Sequence, residues 1–524
     1  MERSQPKLED NLYLTGFMGA GKSTLGRELA EALNRRLVDM DAELTRSLGR
    51  PLDQVFAAGE EDLFRRAETA LLGRLAKRRR LVVATGGGAP VNPRNRKLMT
   101  GSGWVIHLEA GLEECRRRLD PEAVRSRPMW QDPAATARLY QERAKAYDEC
   151  DLKVKADGRR PAEMAASLRS KLFPGISIKA RLGSRSCPVQ ALWDSPSRLA
   201  DLARGRKVMI VTERKVARLH LECYLQALGS AWTEVLNPGE RTKSLTAAGR
   251  LYERLLDLGF DRDDLLVGLG GGMITDLAAF AAGTYKRGMG HILVSTSLLG
   301  CVDAAVGGKA AVNLKTAKNM VGCFTVPEAV LLDVAALTTL DRPRLKEGLI
   351  EAYKTGLAAD PDLARLAAER TKALLAGDLP GLMELVRLSA RAKAAVVGED
   401  FRESGKRKIL NLGHTFGHAV ESYHRFRVGH GRAVGVGLLV ALALSQGRGY
   451  LSPAEAEDLA RPIKRIWPGK VELPPLAQAW ELMGQDKKIV SGRLIFVLLK
   501  GPGKPVLVDD LDKEELGRAL AGLG

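Results

Sequence analysis

The stretch Leu12-Tyr13-Leu14-Thr15-Gly16-Phe17-Met18-Gly19-Ala20-Gly21-Lys22-Ser23 decides the fold of the first third of the chain. Leu12–Thr15 reads as a buried strand, and Lys22 to about Asn34 carries the periodicity of a helix. Between them lies a Gly-x-x-x-x-Gly-Lys-Ser turn, whose backbone N–H groups and helix N-terminus cradle phosphates. In such a turn Lys22 reaches the transferred phosphoryl group and Ser23 holds Mg²⁺, with Gly19, Gly21 and Thr24 completing an ATP site.

Outward from this turn, Leu81–Thr85 and Trp104–Leu108 are further short apolar strands. Strands alternating with amphipathic helices imply a parallel sheet covered on both faces. Val38-Asp39-Met40-Asp41 sets two carboxylates on what reads as an extended segment, pointing the same way. One of the pair, taken as Asp39, can join the metal shell and the other can accept a proton from a substrate hydroxyl; a helix N-cap for Ala42 onward explains one of the two but poorly explains both. Arg65 and Arg143 suit a substrate carboxylate by paired hydrogen bonds, although either alone reads as a surface residue. Gly86-Gly87-Gly88 ends a strand and lets bare backbone approach a ligand.

These residues resemble shikimate kinase over roughly residues 8–172. The markers are the turn at 16–24, Asp39 with Asp41, Gly59-Glu60 with Phe64-Arg65, Gly86–Gly88 and Arg127-Pro128. The resemblance implies that Asp41 deprotonates the shikimate 3-hydroxyl and that Arg65 and Arg143 hold the carboxylate. It also implies that Gly86–Gly88 meet the ring and that Arg127 closes over the phosphates. Pro128-Met129-Trp130 departs from the usual leucines.

Asp157–Pro161 and Phe173-Pro174-Gly175 interrupt the pattern, so a boundary is expected near residue 175. Beyond it, Ile176–Leu182 alternates like a strand, and Lys207–Thr212 and Asp264–Leu269 read as buried strands of a second α/β sheet. Gly270-Gly271-Gly272 follows the last of these and opens a helix, a turn suited to a pyrophosphate. After about residue 335 the sequence becomes mainly helical.

The chain has seven histidines, and four lie between 414 and 430. A lone histidine is usually a satisfied core residue, but this clustering points to chemistry. His414 and His418 are four apart and share a helix face. His430 follows, and two such histidines with a distant carboxylate suit an open catalytic Zn²⁺ site. Glu351 is the carboxylate candidate, and Lys354 stands three residues on; spacing alone equally allows an ordinary surface ion pair.

Here the chain resembles 3-dehydroquinate synthase over roughly 176–524. The markers are Pro238-Gly239-Glu240 with Lys243, Gly270–Gly272 with Asp276, Tyr285-x-Arg287-Gly288, Val302-Asp303 with Gly307-Gly308-Lys309, Lys318-Asn319, Leu412–His418 and Asp486-Lys487-Lys488. The resemblance implies that Glu351, His414 and His430 bind Zn²⁺ or Co²⁺. It assigns NAD⁺ to Glu240, Lys243, Gly271, Gly272, Asp276 and Thr296, with Asp303 and Lys318 beside cofactor or substrate. Arg287, Lys309, Asn319, Lys354, Arg407 and Lys487 surround 3-deoxy-arabino-heptulosonate 7-phosphate, and His418 moves a proton. Two departures stand out: Arg432 replaces the usual Glu two after His430, reversing a charge expected near the metal, and Ser295-Thr296-Ser297 replaces Pro-Thr-Thr.

The fold class expected is thus α/β: a P-loop kinase sheet domain (1–172), a connector (173–180), a Rossmann-like NAD-binding domain (181–335) and a mainly α-helical metal-binding domain (336–524). At 524 residues several domains are expected. No apolar run spans a bilayer and no signal-peptide core opens the chain, so cytoplasm is expected. Six scattered cysteines fit reduced thiols. A net charge of +18 suits anionic substrates better than nucleic acid, since Lys77–Arg80 and Arg116–Arg118 lack interleaved aromatics and read as solvated helix ends.

The leading reading is a bifunctional enzyme that phosphorylates shikimate and cyclises the heptulosonate phosphate; the resemblance leaves a homodimer through the synthase half open. A second reading fuses the kinase to a different sugar-phosphate cyclase. A third makes one half a binding module without catalysis, against which stand intact Lys22, Ser23, Asp41, Glu351 and His414.

Overall fold

The computed structural model describes residues 5–119, 130, 132–314, 318–484, 489–490 and 493–523. Arg127 and Lys487 lie outside the described residues. The chain divides into two compact units, Met1–Pro174 and Gly175–Gly524.

The first unit is built on five parallel strands in the order β2-β3-β1-β4-β5. They are β1 (Asn11–Thr15), β2 (Arg36–Asp39), β3 (Leu81–Ala84), β4 (Gly103–Glu109) and β5 (Leu152–Lys155). β1 and β3 are buried along their whole length, as strands covered on both faces must be. Helix α1 (Lys22–Ala32) starts at Gly21, whose φ of 94° places it in the left-handed region that glycine adopts at little cost. Its Gly26 lies so close to Leu37 and Leu14 that the helix seats directly on the sheet.

Helix α2 (Met40–Leu48) begins one residue after β2, because Asp39 caps it: its carboxylate accepts from the N–H groups of Asp41 and Ala42. A cap of this kind stabilises a helix by about 1 kcal/mol. Asp39 and Asp41 therefore do not share an extended segment as the spacing suggested. Asp39 ends the strand, and Asp41 stands in the first helical turn.

The second unit carries a seven-stranded sheet in the order β6-β7-β14-β11-β10-β8-β9, parallel except for the β6–β7 hairpin. Its strands are β6 (Ile176–Leu182), β7 (Arg185–Leu192), β8 (Val208–Glu213), β9 (Trp232–Leu236), β10 (Leu265–Gly270), β11 (Gly290–Ser295) and β14 (Ala329–Asp333). A separate hairpin joins β12 (Lys309–Val312) to β13 (Val321–Phe324). The expected connector 173–180 is thus shorter than the sequence suggested, because Ile176–Leu182 is already an edge strand of this sheet.

From Arg342 the chain is mostly helical, with two short antiparallel pairs, Ile489–Val490 on Arg493–Leu494 and Phe496–Leu499 on Pro505–Val508, that sequence reading did not anticipate. The helix Arg342–Ala359, capped by Asp341, is buried on nearly every side from Gly348 to Ala358. It packs against the helices Pro361–Glu369, Leu379–Glu399 and His430–Gly447. A helix enclosed in this way is normally apolar throughout, yet this one carries Glu351 and Lys354. No helix among the described residues is long and apolar enough to cross a membrane.

Candidate active sites

In the first unit the functional residues gather where β1, β2 and β3 end. Lys22 folds its ammonium back over the turn, donating to the carbonyls of Gly16 (2.9 Å) and Phe17 (3.0 Å). The Ser23 hydroxyl donates to Asp39 Oδ2 at 2.5 Å, joining the two expected metal-shell residues. Gly19 takes φ 84°, and a Cβ there would collide with the Cys115 carbonyl, so the loop closes only on glycine. Arg118 was expected as a solvated helix end. It instead donates to the carbonyls of Ala20 (2.9 Å) and Ala156 (2.7 Å), because Glu114 one turn earlier turns its guanidinium inward.

The glycine triplet lines the same end of the sheet. A Cβ on Gly86 would lie 3.0 Å from Asp41 Oδ1 and 2.9 Å from Glu68 Oε1. One on Gly87 would lie 3.5 Å from the Arg143 guanidinium, and one on Gly88 would lie 2.6 Å from that of Arg65. Asp41, Arg65 and Arg143 thus converge on one strip of bare backbone. Tyr147, one turn beyond Arg143, donates to the Gly87 carbonyl at 2.6 Å. Sequence reading missed Glu68. It is 1% exposed and pairs with Arg65 at 3.3 Å; burial raises its pKa against the pull of Arg65. Its signal was the three-residue spacing after Arg65.

In the second unit Glu351, His414 and His430 come together, the set that the resemblance implied. Glu351 Oε1 faces His430 Nε2 at 3.4 Å and His414 Nε2 at 3.8 Å. Its side chain is fully buried, and Oε1 takes no hydrogen bond. Lys354 Nζ sits 2.6 Å from the other oxygen and is itself only 2% exposed, which excludes the surface ion pair. Burial opposes the charged form of both. For Glu351 the ammonium of Lys354 and the ring of His430 together outweigh it, so its pKa falls; for Lys354 the carboxylates of Glu351 and Asp303 together outweigh it, so its pKa rises.

The His418 ring lies 5.3 Å from His414 and 6.2 Å from His430. The far nitrogen of His430, Nδ1, meets Glu421 Oε2 at 3.3 Å. Burial disfavours a charged His430, but Glu351 and Glu421 on its two sides push its pKa up to about 10. The geometry corrects one expectation: Arg432 reverses no charge at this centre. Its guanidinium turns away to the Lys470 carbonyl (3.2 Å) and the face of Trp467 (5.8 Å).

A cationic shell surrounds the centre. Lys393 donates to Asp303 Oδ1 at 2.6 Å, and Lys393 and Lys354 hold the Asp303 carboxyl well below its usual range although burial opposes this. Arg407 is 4% exposed and donates to the carbonyls of Gly307 (3.0 Å) and Phe401 (2.7 Å). Lys309 pairs with Glu403. Lys393, Glu403 and Glu421 were invisible to motif reading because each lies far along the chain from its partner or outside any marker.

Gly271 and Gly272 open the helix Gly272–Thr284 at the carboxyl end of β10, where a Cβ would approach Ser297 and Ala304. Beside β12, Lys243 bridges Asp276 (2.6 Å) and Asn319 (2.5 Å), and Glu240 holds Asn313 at 2.8 Å. Asn319, expected on the substrate, therefore stands with the expected cofactor residues, while Lys318 points to Glu421. Thr296 is buried just after β11. Arg287 is not brought to the centre. The helix Gly272–Thr284 carries the chain back to the amino ends of β10 and β11, roughly 20 Å away at 1.5 Å per residue, and Arg287 is exposed there.

Residues 233–347 match the family model described as 3-dehydroquinate synthase N-terminal, and 348–489 match its C-terminal counterpart. Residues 18–173 match the shikimate kinase model. A 3-dehydroquinate synthase of Pseudomonas putida (strain W619) is 41% identical over 355 residues, 66% of this chain and 97% of that protein. The chain belongs to the 3-dehydroquinate synthase family, with a shikimate kinase domain ahead of it.

The synthase of Pseudomonas aeruginosa (strain UCBPP-PA14) is likewise 41% identical, over 96% of its length. Among solved structures, the 2-epi-5-epi-valiolone synthase of Streptomyces hygroscopicus subsp. jinggangensis 5008, with NAD⁺ and Zn²⁺ bound, shares the synthase fold at a TM-score of 0.61 and 24% identity, covering 66% of this chain and 98% of its own. The chain is thus bifunctional, joining a phosphotransferase and a carbon–oxygen lyase. The much higher identity to dehydroquinate synthases sets aside a different cyclase.

Proposed function

We propose that the kinase domain phosphorylates the 3-hydroxyl of shikimate with ATP and Mg²⁺, and that the synthase converts 3-deoxy-arabino-heptulosonate 7-phosphate to 3-dehydroquinate with NAD⁺ and Zn²⁺ or Co²⁺. The observation that carries the synthase reading is a fully buried carboxylate oxygen with no hydrogen bond, facing two imidazole nitrogens. Lys354 pairs with the other oxygen and leaves this one to face the imidazoles, and a His₂-Glu donor set suits a divalent cation with an open position.

In the kinase domain, Lys22 and the turn hold the nucleotide phosphates, and Ser23 with Asp39 hold Mg²⁺. Asp41 accepts the proton of the attacking hydroxyl. Arg65 and Arg143 grip the carboxylate in forked hydrogen bonds. The bare backbone of Gly86–Gly88 lets the ring lie close to all three. Arg127 supplies the remaining phosphate contact.

In the synthase, Glu351, His414 and His430 would hold the cation; Gly271, Gly272, Glu240, Lys243, Asp276 and Thr296 would hold NAD⁺. The glycines fit it because the first N–H groups of their helix lack helical acceptors and no side chain caps them. When bound, the cation acidifies a substrate hydroxyl and NAD⁺ carries the hydride out and back. Lys309, Lys354, Lys393 and Arg407 bind the carboxylate and phosphate, with Asp303 and the nearby loop completing the wall. Buried cations of this kind orient an anion while excluding water. His418, beside both imidazoles, moves the proton that accompanies loss of phosphate.

Two variants of the whole chain test the assignment. Lys22→Ala abolishes shikimate phosphorylation and spares phosphate release from the heptulosonate; His414→Ala does the reverse. Loss of both activities in either variant, with the protein folded, refutes independent sites.

A further inference from the structure

Glu421 touches the proposed metal centre from behind and belongs to none of the assignments above. It is 5% exposed and stands on the helix His414–Tyr423, two turns beyond His414 on the same face. Its two oxygens have different partners. Oε2 lies 3.3 Å from His430 Nδ1, and Oε1 lies 3.3 Å from Lys318 Nζ. Lys318 is itself held over the Phe426 ring at 4.0 Å, and Phe426 is brought there by its N–H, which donates to the Glu421 carbonyl at 2.8 Å. The carboxylate is thus held between Lys318 and the imidazole. The position where relatives were expected to carry a glutamate holds Arg432, whose side chain lies against Trp467 and away from His430.

We propose that Glu421 is a positioning residue for His430, fixing the ring so that Nε2 faces Glu351 and His414. A carboxylate on the distal nitrogen of a metal-bound imidazole sets its tautomer and raises its basicity. One helix then supplies both a ligand, His414, and the group that orients the other histidine ligand. The inference rests on reading the His-Glu group as a metal site. His418, Glu421 and His430 also form a second group of metal-ligand composition, so the test must separate an orienting carboxylate from a ligating one.

Full-length protein stripped with chelator is titrated with Zn²⁺ against a chromophoric competitor, for wild type, Glu421→Gln and Glu421→Ala. The wild type is expected to bind one equivalent. The variants are expected to bind one equivalent about 10- to 100-fold more weakly, with Co²⁺-loaded samples showing altered d–d absorption. Equal affinity in wild type and both variants overturns the proposal. So does a second equivalent that is lost with Glu421, which would make it a ligand. Failure of the wild type to bind Zn²⁺ at all overturns the metal-site reading instead. Should the alanine variant not fold, the glutamine variant, which keeps the shape and removes the charge, decides alone.

Discussion

Replacing Lys354 by methionine separates metal binding from turnover, and the geometry sets both signs. The ammonium lies 2.6 Å from Glu351, with both side chains essentially out of solvent. Removing one partner of a buried pair typically costs about 3–5 kcal/mol, because the other charge is left uncompensated. His430 stands 3.4 Å from the same carboxylate and offsets part of that loss, so the lower end is expected for the metal-free protein. Bound metal reverses the balance. A cation held by Glu351 would no longer compete with an ammonium, and two like unit charges about 4 Å apart repel by about 4 kcal/mol at an effective dielectric constant of 20. Lys354→Met is therefore expected to bind Zn²⁺ about 10- to 1,000-fold more tightly, at 1.4 kcal/mol per decade, while losing dehydroquinate formation. The assay is Zn²⁺ competition against a chelator, run beside both activities, with shikimate phosphorylation unchanged as the internal control. Zn²⁺ binding that is unchanged or weaker would refute the electrostatic argument.

Three further outcomes follow from the geometry. Gly88→Ala would set a methyl 2.6 Å from the Arg65 guanidinium; since that side chain can yield, stability should stay within about 1 kcal/mol, while KM for shikimate rises at least tenfold and KM for ATP does not, and an unchanged shikimate KM would argue against Arg65 as a carboxylate ligand. Gly437→Ala would drive a methyl into the Gly413 carbonyl, where backbone cannot yield; it should destabilise the synthase half by about 1–3 kcal/mol or more, weaken Zn²⁺ binding by parting the His414 and His430 helices, and spare the kinase, which a two-activity assay with thermal melting checks. His291 is 2% exposed, and burial, against a weaker opposing pull from the Met289 carbonyl, lowers its pKa from 6.5 to about 4; the unfolded chain therefore takes up a proton first as pH falls, so stability is lost from about pH 6.5 down to 4, by about 3 kcal/mol in all. Urea midpoints of His291→Leu should fall less steeply over that window, and parallel curves would dismiss the effect.

What the sequence revealed follows from the range of the forces involved. The phosphate-binding turn was legible because strand, glycines and helix are contiguous, so local backbone preference writes the whole device into about a dozen residues. The spacing of His414 and His418 placed them on one helix for the same reason. Asp39 and Asp41 misled because a capping hydrogen bond starts the helix earlier than strand periodicity suggests. Arg432 misled because counting two residues on from His430 ignores where a helical side chain points; the next turn of packing, Trp467, captures it. Lys393 and Asp303 are 90 residues apart, and no local rule joins them. Only the packing of the helix Leu379–Glu399 brings the lysine in.

The excess positive charge acquires a specific meaning from these contacts. The cations that matter are not free on a surface but held by carboxylates: Arg65 by Glu61 and Glu68, Lys354 by Glu351, Lys393 by Asp303 and Lys318 by Glu421. Each pairing lowers the attraction an anion feels on arrival, since the cation is already partly neutralised. In exchange, the side chain is fixed before the substrate comes, and less conformational entropy is lost on binding. A ligand with a single phosphate gains little against such competition. One that brings a carboxylate and a hydroxyl, or a carboxylate and a phosphate, at the right separation engages several pre-aligned cations together. Selectivity among small anions then comes from the carboxylates as much as from the cations, so neutralising Glu68 or Asp303 should loosen discrimination before it abolishes binding.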